Sequence, residues 1–223
     1  MSVTVTFLGH SGFVLSSGEH SLVIDPFLTG NPLAKHKPGD VRCNYIALTH
    51  GHEDHFGDTL AIAQANDATV IAAFEITSFL GNQGVKKLEP ANPGGRIDTE
   101  FGWVALTHAF HSSSYKGQYM GMPCGLVVNI GSVTLYHCGD TGLFGDMKLI
   151  GEIYRPDIAM IPTGDRFTMG PDLANRAAEM IKPKVAIPIH FGTFPMLLPD
   201  ASAFQPTGVE VKVMEPGQSW SYG

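Results

Sequence analysis

The stretch Thr49-His50-Gly51-His52-Glu53-Asp54-His55-Phe56-Gly57-Asp58 sets three histidines and Asp54 within positions 50 to 55, directly after the apolar run Tyr45-Ile46-Ala47-Leu48. Imidazole and carboxylate are the groups by which borderline and hard divalent ions are held. His50 and His52 are two apart, so on an extended segment leaving a strand they point to the same side and can grip one ion together. If the chain turns into a helix near Phe56, Asp54 and His55 face away from that pair and could hold a second ion, at the roughly 3.5–4 Å separation of paired hydrolytic metals. Gly51 and Gly57 give the backbone freedom at the turns. The alternative is a polar loop whose histidines only cap the following helix; so many ligand-type side chains in so short a span weigh against it.

These residues resemble the His-x-His-x-Asp-His signature of the metallo-β-lactamase superfamily. The resemblance implies an α/β (α+β) fold, a four-layer αββα sandwich, with two metals in its site. Related redox proteins with di-iron centres tend to carry Glu where this chain has His52, which points to a site of hydrolase type. Further segments extend the resemblance over nearly the whole chain: Gly9-His10-Ser11-Gly12, Asp25-Pro26-Phe27, Phe110-His111-Ser112-Ser113-Ser114 and Ile189-His190-Phe191-Gly192-Thr193-Phe194. Together they look like a branch of small metal-dependent hydrolases, similar to ascorbate-phosphate lactonases and more distantly to phospholipase D-type enzymes acting on N-acyl phosphatidylethanolamine.

The elements that must position these residues begin with a meander. Val3, Val5 and Phe7 alternate with Thr4, Thr6 and Leu8, and Phe13–Leu15 and Ser21–Ile24 follow after glycine or polar breaks. Residues 28 to 43, with Gly30, Pro32, Pro38 and Gly39, read as a long loop of the kind that often forms a lid. A helix over 59–66, a strand over 68–72 and a short helix over 75–80 give strand and helix alternation with parallel neighbours. Strand signals return at 85–88, 96–99 and 103–107, and 112–122 is a candidate substrate loop. Residues 125–130 and 133–138 form a hairpin across Gly131-Ser132, and 156–162 and 185–189 are strands around a helix from Pro171 to Ile181. Residues 200–204 and 210–214 close the chain as a helical turn and a strand. No linker or low-complexity segment divides residues 1–223, so one domain is expected.

The resemblance completes the ligand set. It places the third ligand of the first ion past a strand, at His111, while parity with Leu106 and Val104 makes His108 a packed strand histidine. It makes Asp140, in Gly139-Asp140-Thr141-Gly142, the aspartate that bridges both ions, against the alternative of a capping Asp. It makes His190, at a strand end, the last ligand of the second ion. His50, His52 and His111 would then hold one ion and Asp54, His55 and His190 the other. Asp54 and Asp140 carry the catalytic role, with Asp54 able to position an attacking hydroxide.

Around this set, His10 is either a support or substrate contact or a plain turn histidine with an exposed ring. Asp25 either accepts hydrogen bonds from the metal loop or opens a turn before Pro26. Ser112 and its neighbours are expected to bond metal ligands or substrate rather than act as nucleophiles. Lys116 and Arg166 are the loop cations available to a phosphate substrate, and His137 orients a ligand or packs. Zinc is the default metal, with manganese and iron also suited to these ligands.

Composition bounds the rest. With 43% hydrophobic and 16% charged residues the chain is globular, and its net charge of −7 has no basic run to mark a nucleic-acid footprint. No apolar run approaches the roughly 18 residues that span a bilayer, and no basic segment precedes an apolar one at the N-terminus. Cys43, Cys124 and Cys138 suit buried reduced thiols, so a cytoplasmic protein is expected. The aromatic segment around Phe191 and Phe194 could be pocket wall or subunit contact, which leaves a homo-oligomer open. The function expected is hydrolysis of a small ester, lactone or phosphodiester by a dinuclear, metal-activated hydroxide. A metal-binding or sensor protein without turnover is the alternative.

Overall fold

Strand alternation sorts the apolar side chains of this computed structural model, which describes residues 2–223, into three buried layers. The strands of the first half are β1 (Val3–Gly9), β2 (Gly12–Ser17), β3 (His20–Ile24), β4 (Tyr45–Ala47), β5 (Thr69–Ala73) and β6 (Leu88–Ala91). Those of the second half are β7 (Arg96–Thr99), β8 (Gly102–His108), β9 (Ser114–Tyr115), β10 (Gln118–Tyr119), β11 (Cys124–Ile130), β12 (Val133–His137), β13 (Ile158–Pro162), β14 (Val185–Ile189), β15 (Glu210–Val211) and β16 (Ser219–Tyr222). The helices are α1 (Glu53–Phe56), α2 (Thr59–Asn66), α3 (Phe74–Asn82), α4 (Met147–Tyr154) and α5 (Pro171–Ile181).

Two seven-stranded sheets result, in the orders β16-β1-β2-β3-β4-β5-β6 and β15-β14-β13-β12-β11-β8-β7. Odd and even positions go to different layers, as a period of two requires. In β5, Ile71 joins the layer between the sheets while Val70 and Ala72 face α2 and α3. In β13, Ile158 and Met160 point into the same central layer while Ala159 and Ile161 face α4 and α5. In α5, Ala174, Ala177, Ala178 and Ile181 are buried, the i, i+3, i+4, i+7 stripe of a helix lying on a sheet. Helix, sheet, sheet, helix is the αββα sandwich. Each fully buried Val, Leu or Ile contributes about 1.5–3 kcal/mol, and the central layer holds more of them than either helix-facing layer.

β3 to β6 are parallel, and so are β12 to β15. The loops after β1, β3, β4, β8, β12 and β14 hold the candidate site residues, so one edge of the sandwich collects them.

Several elements depart from expectation. The strand foreseen over 85–88 is β6, at Leu88–Ala91, and the foreseen loop 112–122 holds the small hairpin β9-β10, turning at Lys116 and Gly117 with φ of 49° and 79°. Helix α4 carries no clear signal because Gly151 interrupts it. That glycine is required: a Cβ there would overlap the backbone carbonyl of Ile181, so α4 meets α5 only without one. Residues 200–204 form no helix, and the strand foreseen over 210–214 is confined to Glu210–Val211. β16, a polar Ser-Trp-Ser-Tyr run, instead closes the first sheet against β1.

Candidate metal centre

Three residues of the site edge share an unusual backbone. His10, Asp25 and His190 each follow a strand and have φ of 58°, 45° and 59°, left-handed values that disfavour residues with a Cβ. Such strain, of order 1 kcal/mol or more each, persists where surrounding contacts over-determine it and clusters at functional sites. Here it turns each chain sharply off the sheet, and the turn after β14 is locked further because His190 N–H donates to the His10 carbonyl.

Asp25 organises the loop after β4. Its Oδ1 accepts the Thr49 N–H at 2.9 Å, and its Oδ2 accepts both the Thr49 hydroxyl at 2.6 Å and His55 Nδ1–H at 2.7 Å. With its proton given to Asp25, Thr49 Oγ1 accepts from His50 Nδ1–H at 3.0 Å. This chain of donors assigns one tautomer to both rings, leaving the Nε2 lone pairs of His50 and His55 free. His52 has the opposite one: Nε2–H reaches Ser112 Oγ at 3.3 Å, so Nδ1 is free.

The free atoms converge. His52 Nδ1 lies 3.0 Å from His50 Nε2 and 3.2 Å from His111 Nε2. Ligand atoms on a tetrahedral ion with bonds of about 2.0–2.1 Å are separated by about 3.3 Å, so this trio fits a divalent metal. A second group, Asp54, His55 and His190 together with His10, has ligand atoms all within 4.8 Å of one another. Asp140 stands between the two: its Oδ2 is 3.6 Å from His111 Nε2 and 3.0 Å from His190 Nε2, and its Oδ1 is 3.2 Å from His55 Nε2. His55 Nε2 and Asp140 Oδ1 are buried and make no hydrogen bond. Leaving such groups unsatisfied is costly, and a cation between them removes the cost.

Electrostatics agree with that reading. Burial pulls the pKa of His50, His52 and His111 below the ordinary value, so the trio offers lone pairs at neutral pH. Burial alone would raise Asp140, yet His190 and His55 hold it well below the carboxylate range. Burial would likewise lower His55, but Asp140 and Asp25 hold it well above the ordinary imidazole value, so without an ion its Nε2 carries a proton whose place a metal would take.

His10 is buried rather than exposed. With the proton on Nε2 it donates to Asp54 Oδ2 at 3.1 Å and accepts from Thr193 Oγ1 at Nδ1, 2.8 Å away; burial lowers its pKa to about 4. His137 is buried as well. Its Nε2–H donates to the Ser11 carbonyl at 2.9 Å and its Nδ1 accepts the Gly139 N–H at 3.0 Å, which fixes the turn presenting Asp140. Ser113 Oγ accepts the Gly51 N–H at 3.1 Å, so the loop after β8 braces the loop after β4.

One placement differs from expectation. His108 is exposed, not packed: it is the last residue of β8, and its ring lies near Phe110 and Phe144. Lys116 and Arg166 do not enter the metal cluster: the first is exposed at the tip of β9-β10 with its ammonium over Tyr115, the second exposed with its guanidinium over Phe167. Sequence reasoning missed Thr49, Thr193 and Asp58. Asp58 accepts Leu28 N–H, Thr29 N–H and the Thr29 hydroxyl at 2.9, 2.8 and 2.6 Å and so pins the loop after β3. Nothing in the chain order signals that pairing. A cleft of about 600 Å³ opens beside Asp54, lined in part by Phe27, Glu53, Tyr115 and Phe194.

A model of the beta-lactamase superfamily domain matches residues 4–190. The chain belongs to the metallo-β-lactamase superfamily. Within that superfamily it is 47% identical over 221 residues to a UPF0173 metal-dependent hydrolase of Carboxydothermus hydrogenoformans, covering 96% of this chain and 97% of that protein. Igni18, a metallo hydrolase of Ignicoccus hospitalis, shares 34% identity and superposes with a TM-score of 0.91, covering 100% of this chain and 99% of that one. CmlA, a diiron β-hydroxylase of Streptomyces venezuelae, shares the fold at a TM-score of 0.75 with 12% identity, over 99% of this chain and 54% of that one. The superfamily fold alone therefore does not select the chemistry. Among the described residues no helix is long and apolar enough to cross a membrane.

Proposed function

We propose that the chain is a dinuclear metal hydrolase of small molecules, its ions held by His50, His52 and His111 on one side and Asp54, His55 and His190 on the other, with Asp140 spanning both. The observation that carries this reading is the position of Asp140 Oδ2 between His111 and His190, one ligand from each group. Two divalent ions, zinc by default for these ligands, would activate water and polarise the scissile oxygen of an ester, lactone or phosphodiester.

The protein's own groups do the positioning. Asp25 and Thr49 fix the tautomers of His50 and His55, and His10 holds Asp54 by its Nε2–H. Asp54 is 27% exposed while Asp140 is buried, so Asp54 is the carboxylate placed to orient the attacking water at the cleft. Buried, unbridged Cys43, Cys124 and Cys138 support a reducing compartment such as the cytoplasm.

The test is removal and return of metal. Chelated protein is expected to lose hydrolysis of model lactones, esters and bis-aryl phosphodiesters, and to regain it with two equivalents of Zn²⁺ or Mn²⁺. Two bound ions with no turnover on any substrate would instead favour a metal-binding sensor.

A further inference from the structure

The cleft beside Asp54 has a chemical character of its own. Its walls are the aromatic rings of Phe27, Tyr115 and Phe194, and the charged groups along it, Glu53, Asp54 and Asp58, are all carboxylates. Asp58 is spent on the backbone and hydroxyl of Thr29 and on Leu28, which holds Phe27 in the wall. Phe27 in turn lies 6.2 Å from Phe194, tilted against it, and both rings stand edge-on to His10 at 5.9 and 5.4 Å. Glu53 is exposed and makes no ion pair with any described residue, so its carboxylate faces whatever enters.

No Lys or Arg lines this cleft. Lys116, exposed on the hairpin turn, has its ammonium over the Tyr115 ring at 5.1 Å. Enzymes that transfer phosphoryl groups place cations about the non-bridging oxygens, because those oxygens keep their charge throughout the reaction. The metals' own charge must be counted too. Two divalent ions bring four positive charges, while Asp25, Asp54, Asp140, Glu53 and Asp58 oppose them with five negative ones. The loaded site therefore has no surplus positive field for an anionic substrate, whereas apolar wall area is ample for an uncharged one.

Resting on the hydrolase reading above, we infer that the physiological substrate is an uncharged ester or lactone with an aromatic or branched flank. The flank seats between Phe27, Tyr115 and Phe194, and Glu53 turns away anionic competitors, phosphodiesters included. In the reaction the oxygen of water bonds to the carbonyl carbon and the acyl C–O bond breaks. Its electron pair leaves with the alcohol oxygen, which takes up a proton, so the products are a carboxylate, an alcohol and one released proton. Glu53 takes no part in bond making; it sets which molecules approach.

The experiment compares three probes on metal-loaded wild type and on Glu53→Gln, Glu53→Lys and Phe194→Ala, with metal content measured for each. The probes are a neutral aryl ester, the same ester bearing a distal carboxylate, and a bis-aryl phosphodiester. Wild type is expected to favour the neutral ester in kcat/KM. Glu53→Lys is expected to shift the neutral-to-anionic ratio toward the anion by roughly five- to tenfold, mainly through KM, as one nearby charge reversal in a half-exposed site should. Glu53→Gln should shift it part-way, and Phe194→Ala should reduce the advantage of aryl over acetyl flanks. A second readout, the inhibition constants of a neutral and a carboxylate-bearing product analogue, should move in the same sense. Preference of wild type for the phosphodiester, or a ratio unmoved in Glu53→Lys at full metal content, overturns the inference while leaving a hydrolase. No turnover of any probe with both ions bound would overturn the hydrolase reading and this inference together.

Discussion

The first half of the chain places His10, Asp25, His50, His52, Asp54 and His55 on the site edge and ties them by side-chain hydrogen bonds, through Asp25 to Thr49 and His55 and through His10 to Asp54. The second half gives His111, Asp140 and His190 singly, each from the loop after a different strand, and the braces on Asp140 and His190 run through backbone atoms: Gly139 N–H donates to His137 Nδ1, His190 N–H donates to the His10 carbonyl, and Gly164 passes close to the His190 carbonyl. Side-chain bracing can be weakened by degrees, because each lost bond changes one tautomer or one rotamer. Backbone bracing fails sterically, since a carbonyl or a Cβ either fits or does not.

Substitution of the group that joins the halves should do most. Asp140→Ala is expected to lower kcat/KM by roughly a thousandfold or more and to loosen both ions, since ligands of both groups lose their common partner; retention of full activity would sink the bridging role. Gly164→Ala comes next. Its new Cβ would overlap the backbone carbonyl of His190, so the melting temperature should fall by roughly 5–10 °C and one ion should be lost in preference to the other. Equal melting of variant and wild type would show that the second half is not held as described.

Side-chain bracing should give a smaller, graded response. Asp25→Asn leaves one acceptor oxygen for three donors, Thr49 N–H, Thr49 O–H and His55 Nδ1–H. Metal affinity should drop by about 10–100-fold with the fold intact, as measured by competition with a chelating dye. The smallest effect belongs to His108→Ala. That ring is exposed and outside the cluster, so stability should stay within about 0.5 kcal/mol and metal content should be that of wild type. A large loss there would mean that His108 is coupled to the metal centre through the loop after β8.

The same contrast explains what could be read from the chain alone. His50, His52, Asp54 and His55 are close enough in the chain that spacing alone puts them on one loop. The parallel strands around them announce themselves as apolar runs with helical segments between. His111, Asp140 and His190 have no such local signal, and only the resemblance to the superfamily singled them out. Thr49 and Asp58 were invisible because a hydroxyl or carboxylate gains meaning only from the groups that fold against it. Helix α4 hid behind Gly151, whose helix-breaking tendency is outweighed by the contact it allows with α5. β16 hid because an edge strand of alternating serine and aromatic residues reads as a polar tail.

The most direct test of a two-ion centre bridged by Asp140 is the metal stoichiometry of purified protein, wild type beside His111→Ala, by mass spectrometry of bound metal after exhaustive dialysis. Two ions per chain in wild type and one in the variant is the result this arrangement predicts, because His111 belongs to only one of the two groups. A single ion in wild type, or none, would contradict it.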